Sequence, residues 1–292
     1  MTLMPCRATM TVCFALLGFL GTGVARAEKP KPPAAVSKTD LERLKQALDT
    51  GNEAEKLAAL DELGRLTGPS AAPAAQRVNE LLQRGASLVV LTRALEVAGK
   101  LGQPSSSAVV VPYTRHRTPE LRSAATRALA TTGGPDAIAA LRASLHGGDR
   151  ASRGLAASGL AMLKAKDAVP DLFAVLAKDV PEAAGAIGEL CGAADCGKFA
   201  GFLGKMPFDL MQTGLSPILL RSESEVPQEF KLELLEHLRK LQTDEARAFL
   251  ETIRASYPEK GNAWVKYALE QAVNNKPVLP PPVGKGKPKE KP

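Results

Sequence analysis

Apolar residues recur along most of this chain in steps of three and four, the spacing that gives a helix one greasy face. The pattern comes in pairs. A first helix is followed by a short turn and a second helix, and the pair then repeats. In register, the first helices are predicted at Glu53–Leu66, Val89–Leu101, Glu120–Thr132, Ala151–Leu163, Glu182–Cys191 and Glu229–Leu241. The second helices are predicted at Ser70–Arg84, Ser105–His116, Asp136–His146, Asp167–Lys178, Asp195–Lys205 and Thr243–Ser256. The late apolar residues of the first helices are Leu63, Ala98, Leu129, Leu160, Leu190 and Leu238, at spacings of 35, 31, 31, 30 and 48. A leading helix at Asp40–Leu48 and a closing one at Ala263–Val273 would cap the row.

Each pair has too little apolar surface to bury by itself, and stacking pairs in order creates one continuous core. The predicted fold class is therefore all-α, a solenoid of about six hairpins. Ser, Asp and Thr stand at the openings of the second helices as N-cap candidates. Residues 205–227 break the period. Phe208, Leu210, Met211, Leu215 and Ile218 make this stretch too apolar for a free loop. It reads as an insertion, either a helix packed on the stack before an acidic turn or a decoration that binds a partner.

Composition agrees. Aromatics are 4% of the 292 residues, which suits Ala-rich helices at close approach and a β-sandwich poorly. The two ends differ from the middle. Residues 1–27 carry Arg7, then the apolar run Thr11 to Val24, then Ala25-Arg26-Ala27. That is the layout of a cleaved signal peptide, with Glu28 as the new N-terminus. Residues 28–38 read as a Pro- and Lys-rich linker, and 276–292 as a basic, Pro-rich disordered tail. The repeat domain is then 39–275, expected in the periplasm or outside the cell, with no transmembrane segment in the mature chain.

The formal charge of +7 belongs mostly to those ends. Residues 39–275 hold 28 basic and 29 acidic side chains. A nucleic-acid groove would concentrate Lys and Arg on the folded surface, so the expectation is no nucleic acid. The tail could make a weak contact with an anionic surface.

Thr118–Asp149 and Asp167–Lys178 resemble HEAT repeats, particularly the bacterial kind of the phycobilin lyases. Pro119, Glu120, Leu121, Arg122, Ala124, Ala125, Ala128 and Leu129 match that family's first helix. Asp136, Ala137 and Leu141 match its second, as do Asp167, Ala168, Pro170, Leu172 and Leu176 in the next unit. The resemblance is good over 118–179, fair over 52–117 and weak beyond 180. It implies a right-handed α-solenoid (a superhelix) whose second helices line the concave face. It implies a packing role for the first-helix basic residue, here Lys56, Arg122, Arg153 and Lys231. It implies no single activity, because fold and function part company in such families.

Candidate chemistry is sparse. Cys191 and Cys196 are the only cysteines beyond residue 27. An exported chain with one even pair should oxidise it to a structural disulfide. His116, His146 and His237 fall in separate units, and no His-Glu dipeptide of the di-iron HEAT-like hydroxylases occurs. The expectation is no catalytic residue, no metal, no cofactor and no enzyme activity. Arg142, Lys178 and Arg247 lie between core positions of second helices and are the partner-binding candidates. The function predicted is an exported scaffold or adaptor that binds a protein or peptide in the cell envelope on its concave face. The alternatives are a lyase-like or accessory enzyme subunit holding a ligand in the groove, and an envelope structural protein using its basic tails.

Overall fold

The computed structural model describes residues 37–177 and 180–278. The expected signal peptide, nearly all of the linker, Lys178 and the tail beyond Val278 lie outside the described residues. Within them the chain is helical, with no strand. The helices are α1 (Lys38–Thr50), α2 (Glu53–Leu63), α3 (Ala71–Arg84), α4 (Leu88–Leu101), α5 (Ser107–Val110), α6 (Pro119–Thr132), α7 (Gly134–Gly147) and α8 (Arg150–Met162). They continue as α9 (Val169–Leu176), α10 (Glu182–Leu190), α11 (Ala193–Ala200), α12 (Phe208–Leu220), α13 (Gln228–Leu241), α14 (Asp244–Ser256) and α15 (Ala263–Val273). A 3-10 turn, Val111–Arg115, prolongs α5.

The helices form two rows. In one, α2, α4, α6, α8 and α10 pack each on the next; in the other, α1, α3, α5, α7 and α9 do so. The first row is built on small side chains. Ala94 and Ala98 of α4, Ala124, Ala125 and Ala128 of α6, Ala156 and Ala157 of α8, and Ala183 and Ala184 of α10 are all buried. With only methyl groups between them, neighbouring helices come close to backbone contact. The larger apolar residues, such as Leu60, Leu95, Leu129, Leu141, Leu160 and Leu172, fill the space between the rows. Each fully buried leucine contributes roughly 2 kcal/mol relative to exposure. The buried residues form one cluster running from Leu44 to Val273, as expected of a solenoid.

The N-caps fall elsewhere than predicted. Side-chain caps occur on first-row helices, where Asn52 forms a capping box with Glu55 on α2 and Asp149 accepts from the Ser152 amide on α8, and on the end helices α1 and α15, capped by Ser37 and Asn262. The second helices α3, α5 and α9 are entered instead through 3-10 turns. Pro69 and Pro104 in two of these turns have no amide to satisfy. Thr243 does cap its helix, accepting from Ala246.

The segment predicted as an insertion is part of the row. Helix α12 packs along α10, α14 packs on α12, α13 on α11, and α15 on α13. The first-row helices therefore begin at Glu53, Leu88, Pro119, Arg150, Glu182, Phe208 and Asp244. There are seven hairpins among the described residues, and α13, predicted as a first helix, is a second one. Two glycines allow the step from α10 to α12. A Cβ on Gly214 would stand 2.5 Å from the Ala184 carbonyl oxygen, and one on Gly188 would strike the Gly214 carbonyl oxygen. The two helices meet there backbone to backbone, which only glycine permits.

Candidate functional site

An open groove of about 550 Å³ lies between two successive second-row elements, the 3-10 turn Val111–Arg115 and α7. Its apolar lining is Val111, Ala140 and Ala143, and its polar lining includes Arg115, His116 and Arg117. The turn is held from inside the protein. Tyr113 Oη donates to the Leu82 carbonyl at 2.5 Å, and Ser107 Oγ bonds Thr132 and the Gly133 carbonyl at 2.8 Å each. Beyond the turn His116 and Thr118 are extended, and the chain crosses to α6.

Arg122 fixes that crossing. Its Nη1 donates to the carbonyls of His116 (2.9 Å) and Arg117 (3.0 Å). Its Nε and Nη2 donate to Asp149 Oδ2 at 2.9 and 2.5 Å. The other oxygen of Asp149 accepts from the Ser152 amide at 2.8 Å. That backbone bond, and then Arg122, hold the Asp149 carboxyl below its usual range. Asp149 is therefore spent on Arg122 and on the first turn of α8. Arg115 and Arg117 are exposed, and neither pairs with a carboxylate among the described residues. His116 Nδ1 accepts the Thr118 amide at 3.1 Å, and its ring stacks on Tyr113 with centroids 6.3 Å apart. With Nδ1 as acceptor, the neutral ring carries its proton on Nε2, which is then a donor.

The family of HEAT repeats matches residues 75–151, a stretch running from α3 to the start of α8 that contains the whole groove. Residues 75–151 are HEAT repeats. Among solved structures, this chain is similar to one described as the complex of CpcE and CpcF of phycocyanin lyase from Nostoc sp. PCC7120. The TM-score is 0.45 at 18% identity, covering 78% of this chain and 98% of that one. Compared with curated proteins, the sequence matches none. The expectation that the chain is not an enzyme is withdrawn: the similar structure is described as one of phycocyanin lyase.

The fold separates the residues singled out from sequence. Arg142 on α7 is bonded to Asp171 Oδ2 at 2.6 Å, and His146 Nε2 lies 3.1 Å from the other oxygen. Burial pushes the Asp171 carboxyl up, but the bonds from Arg142 and His146 more than reverse this and leave it below its usual value. Arg142 thus links α7 to α9 instead of standing free. Arg247 is exposed, 3.7 Å from Glu251, beside a cavity of about 420 Å³ at the end of α13 and α15. It sits on α14, a first-row helix, so its assignment to the second-helix face is corrected by the change of register at α12. Arg142 and Arg247 lie in the third and seventh hairpins and form no common site.

Cys191 and Cys196 are joined by a disulfide, S–S 2.10 Å, across the turn from α10 to α11. No group of three or more His, Cys, Asp or Glu side chains is placed to hold a metal among the described residues. Among those residues no helix is long and apolar enough to cross a membrane. The sequence pattern draws attention to His116 but not to Arg115 and Arg117 on either side of it. Two arginines flanking His116 at the end of a second helix, with no acid within four residues before them, are the available signal.

Proposed function

We propose that this chain is an exported HEAT-repeat subunit that holds a polypeptide partner, or a ligand carried by one, on its second-helix side. In this reading it serves an enzyme assembly as an accessory or lyase-like subunit. The observation that carries the reading is the groove between the 3-10 turn and α7. It is open, it has an apolar part, and it carries two guanidinium groups, of Arg115 and Arg117, that pair with no carboxylate among the described residues. Pockets that bind other molecules combine apolar walls with a few polar groups that fix orientation. Solenoids commonly present such clefts in series along one face. Export is supported by the charged, apolar and small-residue order of residues 1–27, and by the two cysteines, which suit an oxidising compartment.

A photo-crosslinking amino acid placed at Ala143, in the groove, and separately at Thr131, on the first-row side, tests the reading in the native host. A discrete adduct from position 143 and none from 131 is the expected result. Adducts from 131 alone, or from neither, would overturn it. The same purified protein reports on export: its intact mass should correspond to a chain beginning at Glu28.

A further inference from the structure

The near-zero charge of the repeat region is an average over unlike parts. Residues 39–96 hold seven basic side chains against nine acidic, and residues 167–275 hold eleven against seventeen. Between them, residues 97–166 hold ten basic side chains against three acidic. In a solenoid, sequence order is spatial order along the row. A chain position of −2, +7 and −6 is therefore also a map of charge, with a positive band between two negative ends.

All three acids of the band can be placed. Asp149 is bound by Arg122 and the α8 amides. Glu120 and Asp136 lie in the first turns of α6 and α7, the helix ends that favour an anion. None of them makes an ion pair with Arg115 or Arg117 among the described residues. The groove is where uncompensated positive charge meets a concave, partly apolar surface.

We propose that this groove recognises an acidic segment of a polypeptide, with Arg115 and Arg117 each gripping a side-chain carboxylate and His116 Nε2–H as a third donor. This deepens the functional reading above and rests on it. The planar guanidinium fork matches a carboxylate with two parallel bonds. Val111, Ala140 and Ala143 offer apolar surface to the methylenes of Glu or to a neighbouring aliphatic residue. A compact phosphate is less well served. The groove takes in Ser144, Gly147 and Gly148 at the carbonyl end of α7, whose dipole opposes a doubly charged phosphate more than a singly charged carboxylate held at Arg115 or Arg117. The nearby amide end of α8 is already occupied by Asp149. Arg122 acts on the backbone of residues 116–117 and is a positioning residue.

The test is fluorescence anisotropy at moderate salt on the mature full chain. The probe is a labelled ten-residue peptide of Glu interspersed with Ala and Leu, and the control is the same peptide with Gln for Glu. The Glu peptide should bind, with affinity falling as salt rises. The double variant Arg115→Gln/Arg117→Gln should weaken binding about tenfold or more. Lys100→Gln/Arg127→Gln removes the same charge from the first-row side and should weaken it less than about twofold. Equal loss in both variants would overturn the site, as would no binding up to about 1 mM peptide. Preference for inorganic phosphate, phosphatidylglycerol vesicles or a single-stranded oligonucleotide would also overturn it. If the groove crosslink at position 143 survives in Arg115→Gln/Arg117→Gln, the acidic-segment proposal falls while the binding-subunit reading stands. If wild type gives no such crosslink, the reading itself falls, whatever the peptide does.

Discussion

Lys231 is fully buried, yet it is a lysine on a helix read as amphipathic from its sequence. Its Nζ donates to the Arg221 carbonyl and lies 3.1 Å from Glu223 Oε1, which also accepts from Tyr257 Oη at 3.1 Å. Arg221 in turn donates to the carbonyls of Gly188 and Cys191 at 2.8 and 2.7 Å. One chain of polar contacts thus fastens the end of α12 to the end of α10 and to α13. Burial pushes the Tyr257 hydroxyl well above its usual range, and the Glu223 carboxylate adds to this. A second polar knot lies near the C-terminal end. The Arg239 side chain holds the Glu236 carboxyl at about 2, down from 4.5, with help from the Val278 amide. A carboxylate depressed in the folded state stabilises it fully above its unfolded value, and that gain fades as the pH falls from about 4.5 towards 2. Glu236 is partly exposed, so solvent screening limits the gain to about 1 kcal/mol. Glu236→Gln should therefore lower the urea midpoint at pH 7, and the two proteins should converge near pH 2. A difference that persists unchanged in acid would assign the loss to packing instead.

At the scale of the helix, α10 offers a controlled comparison. Gly185 and Gly188 are both inside it, one turn apart. A Cβ at Gly188 would collide with the Gly214 carbonyl oxygen and lie 2.7 Å from Pro217 Cγ, whereas at Gly185 it would meet only the Thr213 carbonyl oxygen at 3.8 Å. Gly188→Ala should cost about 2–3 kcal/mol, because α12 must move. Gly185→Ala should be neutral or stabilise by up to about 1 kcal/mol through helix propensity. Chemical denaturation of the two variants decides, and equal effects would show that α10 and α12 are not in backbone contact. The same glycines explain what the sequence concealed. Hairpins two to four were legible because Ala and Leu recur at fixed places and mark both rows. At α12 the contact is made by atoms every residue has, so no apolar side chain announces it. Meanwhile Lys231 sits in α13 where the basic residue of a first helix would stand, and this drew the register one helix out of phase. Arg115 and Arg117 were hidden differently, by adding charge over the whole repeat region before asking where along the row it lay.

At the scale of the whole row, stability is close to a sum of terms between neighbouring hairpins. What a deletion removes therefore depends on whether the segment belongs to the row. Were residues 205–227 an insertion, excising 206–227 would leave α13, α14 and α15 seated on the hairpin before them. In this structure the excision takes away α12, the helix against which α14 packs. It also removes Arg221, and with it the carbonyl that accepts from buried Lys231, so a buried ammonium loses two partners at once, Glu223 included. The glycine face of α10 would be left against solvent, where a helix with two interior glycines is weak by itself. Hydrogen exchange followed by mass spectrometry on the 206–227 deletion should then show residues 228–278 losing protection, while α2 to α9 keep theirs because their neighbours are untouched. Cooperative loss along the entire row would mean that coupling between hairpins is stronger than nearest-neighbour packing. Full protection of α13 to α15 would return the segment to a passenger on the stack. Because the groove between the 3-10 turn and α7 lies three hairpins away, the deleted chain should also retain the acidic-peptide affinity of the intact one.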